Sequence, residues 1–260
     1  NLRNATRFTS FDGNALIRIA EEQMKLGDIE GARTALLKAD DTPQRDQANS
    51  SLVRLHIRNK DLPAAWTHAN KVREESPDSY LGDLLAGQIH MEEGDPAAAL
   101  ASFEAGFRKE KRPDLLFGMY QAMFALGKSR EALALFEDWL RDHPRDVDVR
   151  RNLAVGYLSL GDQAKARRHL EKLVELAPND AIGLSSLARI YQLGGDARAR
   201  GLAERAVRSA PESSVALDTY GWILVTEGDA EQGLKHLREA VSRDSNPLMR
   251  YHLAQALNEL

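Results

Sequence analysis

Residues 122–129 read AMFALGKS, one substitution short of the phosphate-binding signature GxxxxGK[S/T]. In that loop glycine-rich backbone amides cradle phosphates and the lysine reaches them, after a strand. Here Ala122 stands where the first glycine belongs, and apolar spacing before Gly127 predicts a helix instead of a strand. Gly127 and Lys128 are therefore expected to serve a turn. The seven histidines are His56, His68, His90, His143, His169, His236 and His252, and none forms HExxH or another metal-spaced pair. There is no GxSxG elbow, and the lack of cysteine removes Cys–His dyads, disulfides and thiolate metal sites. NAT at Asn4 and NSS at Asn49 match the glycosylation acceptor pattern. Catalytic residues, a metal and a cofactor are all expected to be absent.

Composition narrows the classes further. The chain is 43% hydrophobic and 28% charged, with ample material for a core. Its net charge of −4 is small and evenly spread, which argues against nucleic-acid binding. No apolar run approaches the roughly 20 residues that cross a bilayer. The sequence begins NLRNATRFTS, without an initiator methionine or signal segment, and is read as an excised fragment.

The elements that must position any site follow a period. Gly27, Gly94, Gly127, Gly161, Gly195 and Gly228 recur in one local setting, with Lys60 holding the missing place between the first two. Successive anchors are 33 or 34 residues apart. Five residues on comes Ala32, Ala65, Ala99, Ala132, Ala166 or Gly233; in the sixth unit it is Ala199, one residue early. Pro77, Pro144, Pro178 and Pro211 follow, with Gln44, Lys111 and Ser245 in the other units.

Stacked helical hairpins have this period. Glycine takes the positive φ that ends the first helix, and Asp28, Asp95 and Asp162 are placed to cap the second. The small residue allows close helix approach, and proline stops the second helix. The expected fold is all-α, a right-handed α-solenoid of seven full repeats plus a C-terminal helix. Unit starts fall at 13, 46, 80, 113, 147, 181 and 214. Residues 1–12 are expected to be a tail or the remnant of a preceding repeat. Residues 13–246 make the seven repeats, and 247–260 a capping helix or the first helix of an eighth.

The array resembles the tetratricopeptide repeat family, whose pattern is W-x2-L-G-x2-Y, A-x3-F, P. Leu153, Ala154, Tyr157, Ala166, Leu170 and Pro178 carry the match in the fifth unit, and Tyr220, Gly221 and Leu224 in the seventh. The first pattern position is never Trp. More narrowly, Leu217–Val241 and Met249–Leu257 resemble the C-terminal repeats of bacterial lipoproteins associated with exopolysaccharide production and PEP-CTERM sorting. That resemblance implies a periplasmic or outer-membrane setting in a Gram-negative bacterium and a lipid tether outside this sequence. A cytoplasmic location is the alternative.

Resemblance to the family also implies a partner in the concave groove lined by the first helix of each hairpin. The second, fifth, ninth and twelfth positions of each unit should face it. These give Leu81, Leu84, Gln88, Met91, Phe117, Gln121 and Phe124, then Asp148, Arg151, Val155, Arg189, Gln192, Asp218 and Trp222, with Tyr251 and Gln255 beyond. Any apolar member could equally pack between adjacent helices. The chaperone-tail carboxylate clamp needs Lys, then Asn, then Asn at set positions; Arg151, Val155 and Ser186 stand there, so that ligand is rejected. Trp139 lies at a packing position, while Trp66 has no clear assignment. The expected function is a non-enzymatic scaffold binding an extended peptide or protein, without nucleic acid, in envelope exopolysaccharide or sorting machinery. A carbohydrate-binding module is the alternative, since groove aromatics, amides and arginines also suit a polysaccharide.

Overall fold

The computed structural model describes residues 12–244 and 246–259. Residues 1–11 of the expected tail, with Asn4, and Ser245 and Leu260 lie outside the described residues. Fifteen helices and no strand occur among the described residues. The first helices of successive hairpins are α1 (Gly13–Lys25), α3 (Arg45–Arg58), α5 (Leu81–Glu92), α7 (Pro113–Ala125), α9 (Val147–Ser159), α11 (Ala181–Leu193) and α13 (Ser214–Thr226). Their second helices are α2 (Ile29–Asp40), α4 (Leu62–Glu75), α6 (Pro96–Lys109), α8 (Ser129–Asp142), α10 (Gln163–Leu176), α12 (Arg198–Ser209) and α14 (Ala230–Arg243). A single helix, α15 (Pro247–Asn258), follows.

The chain divides into two compact units, Asn1–Leu135 and Phe136–Leu260, with the boundary inside α8. In the first unit, Leu16, Ile17, Ala20, Ala32, Leu36, Leu52 and Leu55 bind α1, α2 and α3 into one cluster. Phe103, Leu84, Leu115 and Met119 do the same for α5, α6 and α7. In the second, Leu170, Leu173, Leu187, Tyr191, Ala203 and Ile223 join α10 to α13. Leu234, Leu237 and Ala256 join α14 to α15. Each cluster spans neighbouring hairpins, so no hairpin buries its apolar face alone.

The turns show why the period holds. All six anchor glycines have φ between +68° and +89°. Asp162 N–H donates to Tyr157 O at 2.9 Å and Gly161 N–H to Leu158 O at 3.0 Å, closing the first helix. Lys60 adopts φ +60°, and its turn makes the same pair of bonds, from Lys60 N–H to Ile57 O and from Asp61 N–H to His56 O. The following aspartates cap as expected: Asp28, Asp95 and Asp162 accept from Gly31, Ala98 and Lys165 N–H. The small residues are buried, and at Gly233 a Cβ would lie 2.6 Å from Gly221 O.

The early alanine of the sixth unit has a local cause. Ala199 N–H bonds Asp196 O three residues back, whereas Ala166 N–H bonds Asp162 O four back. The turn tightens by one residue. Asp196 then pairs with the Arg198 guanidinium, which holds its carboxyl down at about 2.

The nucleotide-like stretch is settled by the same geometry. AMFALGKS runs from the end of α7 into α8, with Gly127 at φ +75° in the connecting turn.

Candidate partner-binding face

In the first unit, the expected groove residues divide by burial. Leu84 is buried with Phe103 and Leu115, so it belongs to the core. Gln88, Met91 and Phe117 are half-buried, with Met91 packed against that same cluster, while Gln121 and Phe124 are exposed. Phe124 leans on Tyr120 with ring centroids 6.2 Å apart. Trp66 gains an assignment that sequence left open. Its indole N–H donates to Glu93 Oε1 at 2.8 Å, and its ring meets His90 edge-on at 4.9 Å.

In the second unit, three expected groove charges, Asp148, Arg151 and Asp218, are already occupied. Arg151 donates to Asp148 at 2.6 Å and to Asp180, the cap of α11, at 2.7 Å. Those bonds raise its affinity for the proton, with Asp180 the larger cause. Asp218 is buried and accepts from His252 Nδ1, whose imidazole Trp222 covers at 4.5 Å in a 10° stack. Trp222 is thus half-buried at the α13–α15 contact, while Tyr251, 6.5 Å from it, is exposed. Val155 is exposed and Gln192 donates to Thr226 Oγ1 at 2.9 Å.

Arg189 differs from these. It is exposed and makes no ion pair among the described residues. It lines a cavity of about 300 Å³ between α9, α11 and α13, together with Leu158, Ser185, Ser186, Val215 and Thr219. No carboxylate lines that cavity. Ser185 Oγ is buried there without a hydrogen-bond partner. The residues that sequence reading passed over are Ser185, Val215 and Thr219. Their signal was the repeat position itself, since Ser185 and Val215 occupy the fifth and second places of their units.

Ser185, Asp218 and His252 have the composition of a hydrolase triad, but not its connections. The imidazole faces the carboxylate, and the serine hydroxyl bonds neither. Without a hydroxyl-to-imidazole hydrogen bond the serine has no base to activate it.

The remaining histidines pack. His56 stacks on His68 at 5.5 Å, and His169 on Tyr157 at 5.8 Å. Burial depresses the basicity of His68, His169 and His236, with Arg150 adding to the effect on His169. Tyr157 and Tyr191 donate their hydroxyls to Glu137 and Glu171, each 20 residues upstream on the preceding second helix. Trp139 is buried and donates to Asp146 Oδ2 at 2.8 Å. Asn49 is fully buried, its amide donating to Asp40 and to Arg45 O. The NSS tripeptide is therefore closed to glycosylation in the folded chain. Among the described residues no group of three potential metal ligands occurs, and no helix is long and apolar enough to cross a membrane.

Hairpins of this length, closed by a positive-φ residue and sharing their cores with their neighbours, define a helical-repeat protein. Family models described as tetratricopeptide repeat match residues 17–80 and 123–190, together just over half of the sequence. The chain belongs to the tetratricopeptide repeat family, and its fold is the all-α solenoid of that family. Among curated proteins, none matches the sequence significantly.

Solved structures agree on the fold. The C-terminal part of a TPR repeat-containing protein from Cytophaga hutchinsonii is 17% identical, covering 94% of this chain and 99% of that one, with TM-score 0.63. A tetratricopeptide repeat protein from Parabacteroides merdae is 18% identical over 95% of this chain and 99% of its own, with TM-score 0.59. YrrB, described as a TPR protein with an unusual peptide-binding site, is 17% identical over 72% of this chain and 97% of its own, with TM-score 0.54.

Proposed function

We propose that this protein is a non-enzymatic interaction scaffold that binds an extended peptide on the faces of its first helices. One observation carries the reading. Of eleven exposed large apolar side chains among the described residues, eight lie on first helices or α15, and only Leu37 lies on a second helix. Exposed apolar surface of one kind, gathered on one class of helix, marks a contact surface. In the second unit that surface adjoins an unpaired guanidinium and a cavity. The description of YrrB as peptide-binding is in keeping with this reading.

The resemblance of Leu217–Val241 and Met249–Leu257 to envelope lipoproteins supports a setting in bacterial exopolysaccharide or protein-sorting machinery, with the tether outside this sequence. Subcellular fractionation of the natural protein tests it; recovery in the cytoplasm alone would remove it. A carbohydrate ligand has one supporting observation, the exposed Tyr251 ring beside Trp222.

Display of random peptides and a glycan array, probed with the full chain, decide between the two. The expected result is peptide enrichment that Tyr251→Ala and Ile182→Ser weaken and Lys172→Ala leaves unchanged. Lys172 is exposed on α10 and already paired with Glu175. Glycan binding lost in Tyr251→Ala, with no peptide enriched, would transfer the assignment to carbohydrate.

A further inference from the structure

The first helices of the second unit repeat an aliphatic residue at one place. Ile182, Val215 and Leu248 stand at 33-residue intervals near the starts of α11, α13 and α15. They are 55%, 53% and 40% exposed. The equivalent residues of most other units are polar: Asn14, Gln47, Asp114 and Asp148. On α11 the same side continues through Ser185, Ser186 and Arg189 at three- and four-residue steps. Val215 and Arg189 line one cavity.

Spacing selects the conformation of whatever covers this row. Helix α11 packs on α13, and α13 on α15. Packed helices lie about 8–10 Å apart. A polyproline-II segment turns the same side toward a surface at every third residue, about 9.3 Å apart. A β-strand offers roughly 6.8 Å for every second residue or about 13.6 Å for every fourth. Only the polyproline-II step matches the helices.

Charge selects the chemistry. Asp148 and Arg151 are paired with each other, and Asp218 is taken up by His252. Arg189 remains, with no carboxylate in its cavity and the unpartnered Ser185 hydroxyl among the lining groups. Docking an aliphatic segment here would strip water from the guanidinium, a cost that an anion carried by the ligand offsets.

We propose that the second unit recognises a polyproline-II-like peptide segment with aliphatic side chains at every third residue and an acidic side chain that meets Arg189. This rests on the peptide-scaffold reading above.

The test uses the full chain and its Arg189→Gln variant against a library of random dodecapeptides. Because Arg189 makes no internal pair, the variant should melt with the parent. The parent is expected to enrich aliphatic residues at i, i+3 and i+6 together with Asp or Glu. Arg189→Gln should keep the spacing and lose the acidic preference, and Val215→Ser should lose the middle aliphatic. One selected peptide and its Glu→Gln or Asp→Asn counterpart should differ about tenfold in affinity for the parent at low salt. They should not differ for Arg189→Gln. Aliphatic enrichment at every second residue, or an acidic preference that is absent or survives in Arg189→Gln, overturns this inference and leaves the peptide scaffold standing. Failure to enrich any peptide would remove both.

Discussion

The imidazole of His252 places Nδ1 3.0 Å from each carboxylate oxygen of Asp218, 34 residues earlier in the chain. Both groups are buried, and the pair ties α15 to α13 beside the apolar contacts of Met249 and Ala256. Deleting the imidazole leaves a carboxylate buried without its partner, which costs more than the pair itself contributes. His252→Ala is expected to lose about 3 kcal/mol of stability. Amide exchange should rise first in α15 and then in α14, with the first unit unchanged, because repeats are stabilised by their neighbours. Removal of residues 247–260 should act in the same direction, uncovering Leu237 and Val241 and lowering the melting temperature. An unchanged melt in both proteins would mean that α15 does not cap the stack.

Lys60 is the one described non-glycine residue with positive φ, at a turn where the other units have glycine. The left-handed region strains a side-chain-bearing residue, and glycine is free of that strain. Lys60→Gly is expected to raise stability by about 0.5–1 kcal/mol, after allowing for glycine's greater freedom in the unfolded chain. Chemical denaturation reads this directly. A loss of stability would show that the lysine side chain contributes more than its backbone costs.

Gly233 invites the opposite substitution, since alanine fills its place in every other unit. The space forbids it. A Cβ there would sit 2.6 Å from Gly221 O, a backbone atom that cannot rotate away. Gly233→Ala is expected to cost about 1–3 kcal/mol as α13 and α14 are forced apart. A neutral or stabilising result would mean that the hairpin opens without penalty.

Acidification should destabilise the fold. Burial lowers the proton affinity of His68, His169 and His236 below the ordinary histidine value. Between the folded and unfolded values the unfolded chain binds more protons, so stability falls as pH falls. The contribution is therefore complete above roughly pH 6.5 and declines below it. His169→Phe keeps the stack on Tyr157 but cannot take a proton, so its melting temperature should depend less on pH. The same slope in parent and variant would exclude His169 as a source.

How much of this was legible in the sequence depends on whether a feature repeats. The turn at Gly161, the caps at Asp95 and Asp162 and the buried Ala166 all recur at a fixed interval, and each has a local physical cause. Lys60 was placed correctly by period alone, against its residue type. Arg151 and Asp218 look like open groove charges in the sequence because Asp180, the cap of α11, and His252 on α15 lie 29 and 34 residues further on, beyond any local pattern. Leu84 was misplaced for a related reason. Its repeat position is exposed at Tyr251 and half-buried at Phe117, but neighbouring Phe103 and Leu115 close over it at Leu84. The exposed row of Ile182, Val215 and Leu248 was visible as a period but not as a surface, because exposure is a property of what fails to cover a residue.

Leu84 and Phe124 provide the last test, since sequence gave them the same role and the structure separates them. Leu84 is buried in the cluster that joins α5, α6 and α7, whereas Phe124 is 51% exposed at the end of α7. Truncating Leu84 removes buried methyl groups and leaves a cavity, so Leu84→Ala should cost about 2–4 kcal/mol. Phe124→Ala removes a ring that covers little, and its stability should stay within about 0.5 kcal/mol of the parent. If the first-helix face of this unit takes part in binding, Phe124→Ala should instead weaken a peptide recovered with the full chain, by about 2 kcal/mol for an aromatic anchor. Denaturation curves and peptide titrations on the two variants separate these effects. Equal stability losses would contradict the burial difference, and an unchanged peptide affinity for Phe124→Ala would confine binding to the second unit.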